Sequence, residues 1–103
     1  MNLTLTERFS IIDLIPKKSD YILLKQYRTI KEVLGLQSSE IKEFEIKFDG
    51  ENMTWNKSLD IGKDFQFNEV QQDIIKKELR TLDDKKMLED KHFLIYKKFM
   101  EGE

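Results

Sequence analysis

The sequence predicts an α+β domain, mainly helical, with a central β-hairpin, and three observations carry that prediction. First, Val70, Ile74, Ile75, Leu79 and Leu82 recur at the spacing of an amphipathic helix, and similar stripes run through both halves of the chain. Second, between Phe44 and Trp55 the apolar period shortens to two, and Asp49-Gly50 sits between the alternating runs. Third, 39% hydrophobic and 11% aromatic residues, with only four Gly and one Pro, can build one modest core. A length of 103 residues fits one domain spanning 1–103.

Taken in order, Thr4 followed by Glu7 reads as a capping box, after which Leu5, Phe9 and Ile12 share a helical face with Ile11 and Ile15 beside it. Pro16 ends this helix because it pushes the preceding residue out of the α region. Ser19 or Asp20 caps a second helix running to about Leu34. Leu23, Tyr27, Ile30 and Leu34 form its stripe, Leu24 and Val33 widen it, and Gly35 suits a left-handed C-terminal cap. A brief third helix begins after Ser38 or Ser39 and includes Glu40, Ile41 and Phe44.

The hairpin is expected as Glu45–Phe48 against Glu51–Asn56. A two-residue loop at Asp49-Gly50 would pair Ile46 with Met53. A longer one through Asn52 would pair Phe48 with Met53, and both registers keep the large side chains on one face. Leu59 and Ile61 are expected to clip a looser segment onto the core, and Phe65 and Phe67 allow a short third strand. The long helix follows, with Asn68 as N-cap and Gln71 reaching back to it. Asp90 caps a last helix carrying Phe93, Tyr96, Phe99 and Met100. The expected core comprises Phe9, Ile12, Leu24, Tyr27, Ile30, Trp55, Ile74, Leu79 and Phe93.

Charged residues make up 37% of the chain, yet their signs nearly cancel to a net −2. Residues 1–35 carry +2, 36–67 carry −3 and 68–103 carry −1, so no third is basic enough for a phosphate-tracking surface. Without cysteine there is no disulfide, thiolate nucleophile or Cys-based zinc site. No apolar run approaches the roughly 18 residues of a membrane span. The start, Met1 to Glu7, lacks the basic and apolar regions of a signal peptide, so an intracellular protein, or one packaged without secretion, is expected.

Three helices and a hairpin invite a winged-helix reading, but the third helix carries three carboxylates against one lysine and would repel phosphates. Lys17, Lys18, Lys25, Arg28 and Lys31 offer a smaller basic face, read either as solvated surface or as a weak phosphate-contacting face. His92, the single histidine, has no cysteine or second histidine at catalytic or metal-binding spacing, and reads as a partly exposed helical residue. Asp83-Asp84, followed by Lys85-Lys86, marks a helix end more readily than a metal pair. No phosphate-cradling glycine motif or nucleophile elbow is present, so no catalytic residue, cofactor or metal is expected.

Arg8-Phe9 leading to Leu14-Ile15-Pro16, then Leu24 and Arg28, Ser38-x-Glu40-Ile41-Lys42, a single Trp55 and Phe93-x-x-Tyr96-x-Lys98-Phe99 form an ordered set. In this set the chain resembles a group of small bacteriophage and prophage proteins without assigned chemistry. The resemblance implies an accessory or regulatory protein in a bacterial cytoplasm. With the absence of catalytic constellations and the surplus of aromatic side chains (Trp55, Phe65, Phe67, Phe93, Tyr96 and Phe99), it makes a non-catalytic protein–protein interaction module that binds a phage or host protein the expected function. The alternative is a weak nucleic-acid-binding regulator using the basic face. The last helix carries two apolar faces, Phe93, Tyr96 and Met100 on one and Ile95 and Phe99 on another. Ile95, Phe99 and Met100 are accordingly expected to meet a partner or a second copy in a two-fold dimer.

Overall fold

The computed structural model describes residues 1–102. Its elements are β1 (Asn2–Leu3), α1 (Leu5–Leu14), α2 (Tyr21–Leu34), α3 (Ser38–Glu43), β2 (Lys47–Asp49), β3 (Asn52–Thr54), β4 (Lys63–Asp64), α4 (Glu69–Asp84) and α5 (Asp90–Tyr96). A 3₁₀ turn, Lys57–Leu59, precedes β4, and a π-helical turn, Lys97–Glu101, prolongs α5. The fold is α+β and mainly helical, with two small antiparallel sheets, β1–β4 and β2–β3.

Helix α1 packs against α5, α2 and α4. Its Thr4–Glu7 capping box forms as expected, and the Asp60 carboxylate adds bonds of 3.1 and 3.0 Å from the Leu5 N–H. An anion at that end also suits the helix dipole. Leu5 and Phe9 face a small core with Phe44, Ile46, Met53 and Trp55. Ile11 and Ile15 face the main core with Tyr27, Ile30, Leu34, Ile75, Leu79 and Ile95. Two apolar surfaces on one short helix leave its polar residues enclosed, and Glu7, Arg8 and Ser10 are all buried.

The hairpin adopts the Phe48–Met53 register, with Asp49 opposite Asn52 and Gly50-Glu51 as the loop. Gly50 takes the positive φ such a turn requires. The first strand starts later than expected because Glu45 belongs to the end of α3. With φ 54°, Glu45 donates its N–H to the Lys42 carbonyl while Ile46 donates to Ile41, the paired bonds of a Schellman cap. Lys86 ends α4 in the same way, with φ 58° and Met87 donating to Leu82.

Several expectations need correcting. Gly35 is extended, with φ −62° and ψ 156°, rather than left-handed; Arg8 supplies donors to the Leu34 and Gly35 carbonyls instead. The third strand lies at Lys63–Asp64 and pairs with Asn2–Leu3, an N-terminal strand whose two residues are too few to show a period. Gly62 makes that pairing possible: its φ is 89°, and a Cβ there would lie 2.0 Å from Asn2 Oδ1. Ile61 is 83% exposed and Leu59 also faces solvent, so neither clips the loop to the core. Val33 and Val70 are exposed as well, while Phe9, Ile12, Leu24 and Trp55 are half-buried against the cores. The N-cap of α5 is Glu89 rather than Asp90.

Among the described residues, no helix is long and apolar enough to cross a membrane.

Candidate functional site

The densest polar chemistry is internal. Arg8 and Glu40 are 2% and 1% exposed. The Arg8 guanidinium meets Glu40 through bonds of 2.7 and 2.9 Å, and donates to the Leu34 and Gly35 carbonyls at 3.0 and 2.9 Å. Its Cζ lies over the Phe65 ring, 5.1 Å from the ring centre. Glu40 also accepts the Gln37 N–H at 2.8 Å, closing the N-terminus of α3. Lys63, on β4, approaches Glu40 at 3.0 Å and Glu43 at 2.9 Å. Hydrogen bonding to Arg8 is the main reason the Glu40 carboxyl falls to about 2, against the opposing effect of burial. Glu43 and then Glu40 hold the Lys63 ammonium above its ordinary range. A second ion pair, Lys98 with Glu7 at 2.7 Å, fastens the C-terminal segment to α1. Every charge in the Arg8 network has a partner of opposite sign, and its central pair is closed to solvent. The arrangement joins α1 to the end of α2, to α3 and to β4.

In the sequence this network is not visible: Glu40 counts only as one of three carboxylates on the third helix, and Arg8 and Glu40 as members of one ordered set of residues. The available sign was the position of Glu7 and Arg8 between apolar residues on both sides of α1. Nothing local, however, joins Arg8 to a residue 32 positions away.

His92 is buried, not partly exposed, and its Nδ1 accepts the Glu89 N–H at 2.9 Å. Burial, and after it Lys91, pushes its pKa down, while Glu89 and Asp13 act in the opposite direction. The ring is a neutral cap for α5, with the proton on Nε2. Asp83 accepts a 3.1 Å bond from the Tyr96 hydroxyl, which raises the Tyr96 pKa. No group of three or more His, Asp or Glu residues is placed to hold a metal among the described residues.

The expected partner face on α5 is turned the other way. Ile95 and Phe99 are buried in the chain's own core, where Phe99 meets Phe67 with ring centres 5.9 Å apart, and Met100 is half-buried. Phe93, expected in the core, is 63% exposed, and Leu94 beside it is also exposed. At about 100° per residue, His92 and Ile95 stand about 60° apart on the inward side of α5, while Phe93 is turned about 100° from His92 and about 160° from Ile95. His92 is buried on the inward side as well, and Lys98 is tied to Glu7 in this orientation.

Two clefts flank exposed aromatic residues. One, of about 460 Å³, combines Leu88, Phe93 and Tyr96 with Asp83, Glu89, Asp90, Lys97 and Glu101, and four of these side chains are carboxylates. The other runs along α2 between Tyr21, Leu24, Lys25, Arg28, Thr29 and Glu32. The structure therefore gathers Lys25 and Arg28 of the basic set on one cleft. Lys17 and Lys18 lie exposed in the link before α2, and Lys31 is half-buried beside the stripe.

No protein-family model, no curated protein and no solved structure significantly matches the chain.

Proposed function

We propose that the chain is a non-catalytic protein-interaction module whose docking surface is the cleft beside α5. The observation that carries this reading is the outward Phe93, 63% exposed beside Leu88 and Tyr96, within a rim of four carboxylates, Asp83, Glu89, Asp90 and Glu101, and one cation, Lys97, whose ammonium lies 5.8 Å from the centre of the Phe93 ring. Exposed aromatics with an apolar surround are the usual anchors of protein interfaces. The carboxylate rim favours a partner segment that combines Lys or Arg with an apolar side chain. It disfavours a symmetric pairing of two such clefts, which would set like charges face to face. The resemblance to phage and prophage proteins supports a phage or host protein in the bacterial cytoplasm as the partner, and an accessory role for the chain.

Nucleic-acid binding through Lys17, Lys18, Lys25, Arg28 and Lys31 is the weaker reading, because Glu32 sits in the same cleft as Lys25 and Arg28.

A photocrosslinking residue placed at position 93 in bacterial cells tests the proposal. The expected product is one dominant adduct, attached through a Lys- or Arg-rich segment of another protein, and absent when the crosslinker is moved to Glu51. Adducts no more abundant at position 93 than at position 51 would count against it.

A further inference from the structure

We infer that the outward face of α2 is a second docking site, one that takes an acidic segment of a partner protein bearing an aliphatic or aromatic anchor. The helix buries Tyr27, Ile30 and Leu34 inward, which leaves its first turn apolar and uncovered: Tyr21 is 75% exposed and Ile22 is 74% exposed. Asp20 holds that turn in place by accepting the Leu23 N–H at 2.9 Å, so the exposed pair sits on an ordered helix end. Tyr21, Lys25 and Arg28 are spaced by four and three residues and therefore share one stripe. The Lys25 ammonium lies 5.7 Å from the centre of the Tyr21 ring, which places cation and aromatic surface side by side.

Charge indicates what covers this face. None of Lys17, Lys18, Lys25, Arg28 and Lys31 has a carboxylate within ion-pair distance among the described residues, whereas Lys63 and Lys98 are paired within the fold. The first third of the chain carries the only regional excess of positive charge, +2 in a molecule of net −2. An acidic partner is thus complementary to α2 and repelled by the carboxylate cleft on α5, so the two surfaces select different ligands.

A peptide fits better than a nucleic acid for two reasons. Ile22 gains from burial against an apolar side chain, but a phosphate backbone gives it nothing. Glu32 shares the cleft, and a peptide can place a neutral residue opposite it, which a continuous phosphate chain cannot.

The test is an amide-resolved NMR titration of the full chain with three probes. These are an Asp/Glu-rich peptide with one central leucine, the same peptide with serine in its place, and single-stranded oligo-dT. The leucine peptide is expected to shift the Tyr21–Glu32 amides saturably. Its affinity should fall about tenfold or more in Lys25→Glu/Arg28→Glu and remain unchanged in Phe93→Ser. Equal binding of the serine peptide, tighter binding of oligo-dT, or no saturable shift on α2 would each overturn the inference. Leucine-peptide binding that survives Lys25→Glu/Arg28→Glu but is lost in Phe93→Ser would overturn it too, by moving the ligand to the α5 cleft. Failure of the photocrosslinking experiment leaves this result untouched, because the two tests read different residues and opposite charges.

Discussion

Arg8 occupies a core position with a charged side chain, and its guanidinium joins α1 to the end of α2 and the start of α3. Removing one member of a buried ion pair leaves the other charge without compensation, so Arg8→Met should destabilise the fold by about 3–5 kcal/mol. Adding Glu40→Leu should recover part of that loss. Full recovery is not expected, since the Leu34 and Gly35 carbonyls would still lack their donors, which costs about 1–3 kcal/mol. Urea unfolding of the two single variants and the double variant gives the comparison, and a double variant that equals the sum of the singles would show that the pair is uncoupled. Glu40 adds a pH signature. Its carboxyl ordinarily titrates near 4.5 and is held near 2 in the fold, chiefly by Arg8. The stability it contributes is present above pH 4.5 and is lost as pH falls toward 2. Unfolding midpoints measured across that window should fall steeply for the native chain and less for Glu40→Gln. None of this was legible in the sequence, because a charged residue displays its sign and not its partner.

Element ends were legible where the signal was local. Thr4 with Glu7 and Asn68 with Gln71 are capping boxes three residues apart, and both form as their residue types require. Glu89 with His92 does the same work with an unusual acceptor, an imidazole nitrogen, and so escaped recognition. Glutamine is a normal residue at that position, so His92→Gln should keep the α5 cap near neutral pH. For the native chain, the lowered pKa of His92 means that the unfolded state takes up its proton first. Stability is therefore fully present above about pH 6.5 and declines as pH falls below it, toward the native pKa. His92→Gln should flatten the upper part of that decline, and an identical slope in both proteins would refute a neutral histidine cap. Helix ends closed by left-handed residues were also hidden, because Glu45 and Lys86 stand where glycine is the usual choice. Lys86→Gly should relieve that strain and stabilise by up to about 1 kcal/mol, seen as a higher thermal midpoint.

At the scale of the whole molecule, fold class and helix order were legible from periodicity, but the choice of inward face on the last helix was not. The C-terminal segment presents Phe93, Tyr96 and Met100 on one side and Ile95 and Phe99 on the other, and apolar content alone favours the first. The structure nevertheless turns the second side inward, with Ile95 and Phe99 buried. Lys98 reaches across to Glu7 and to the Asn2 carbonyl in the same rotation that puts Phe99 against Phe67 and Ile95 into the main core. The two phenylalanines should therefore respond in opposite ways to the same change. Phe99→Glu would bury a carboxylate with no cation provided for it, leaving a cavity and an unpaired charge together. A loss of about 3–5 kcal/mol, the scale of removing a buried aromatic ring, is then a lower bound. That would remove much or all of the stability of a domain this size. Phe93→Glu changes only an exposed position and should stay within about 0.5 kcal/mol of the native chain. Far-ultraviolet circular dichroism and thermal midpoints for the two variants provide the measurement. If Phe99→Glu instead remains folded and only its sedimentation changes, from dimer to monomer, then Phe99 belongs to a seam between copies, and the inward assignment of this face is wrong.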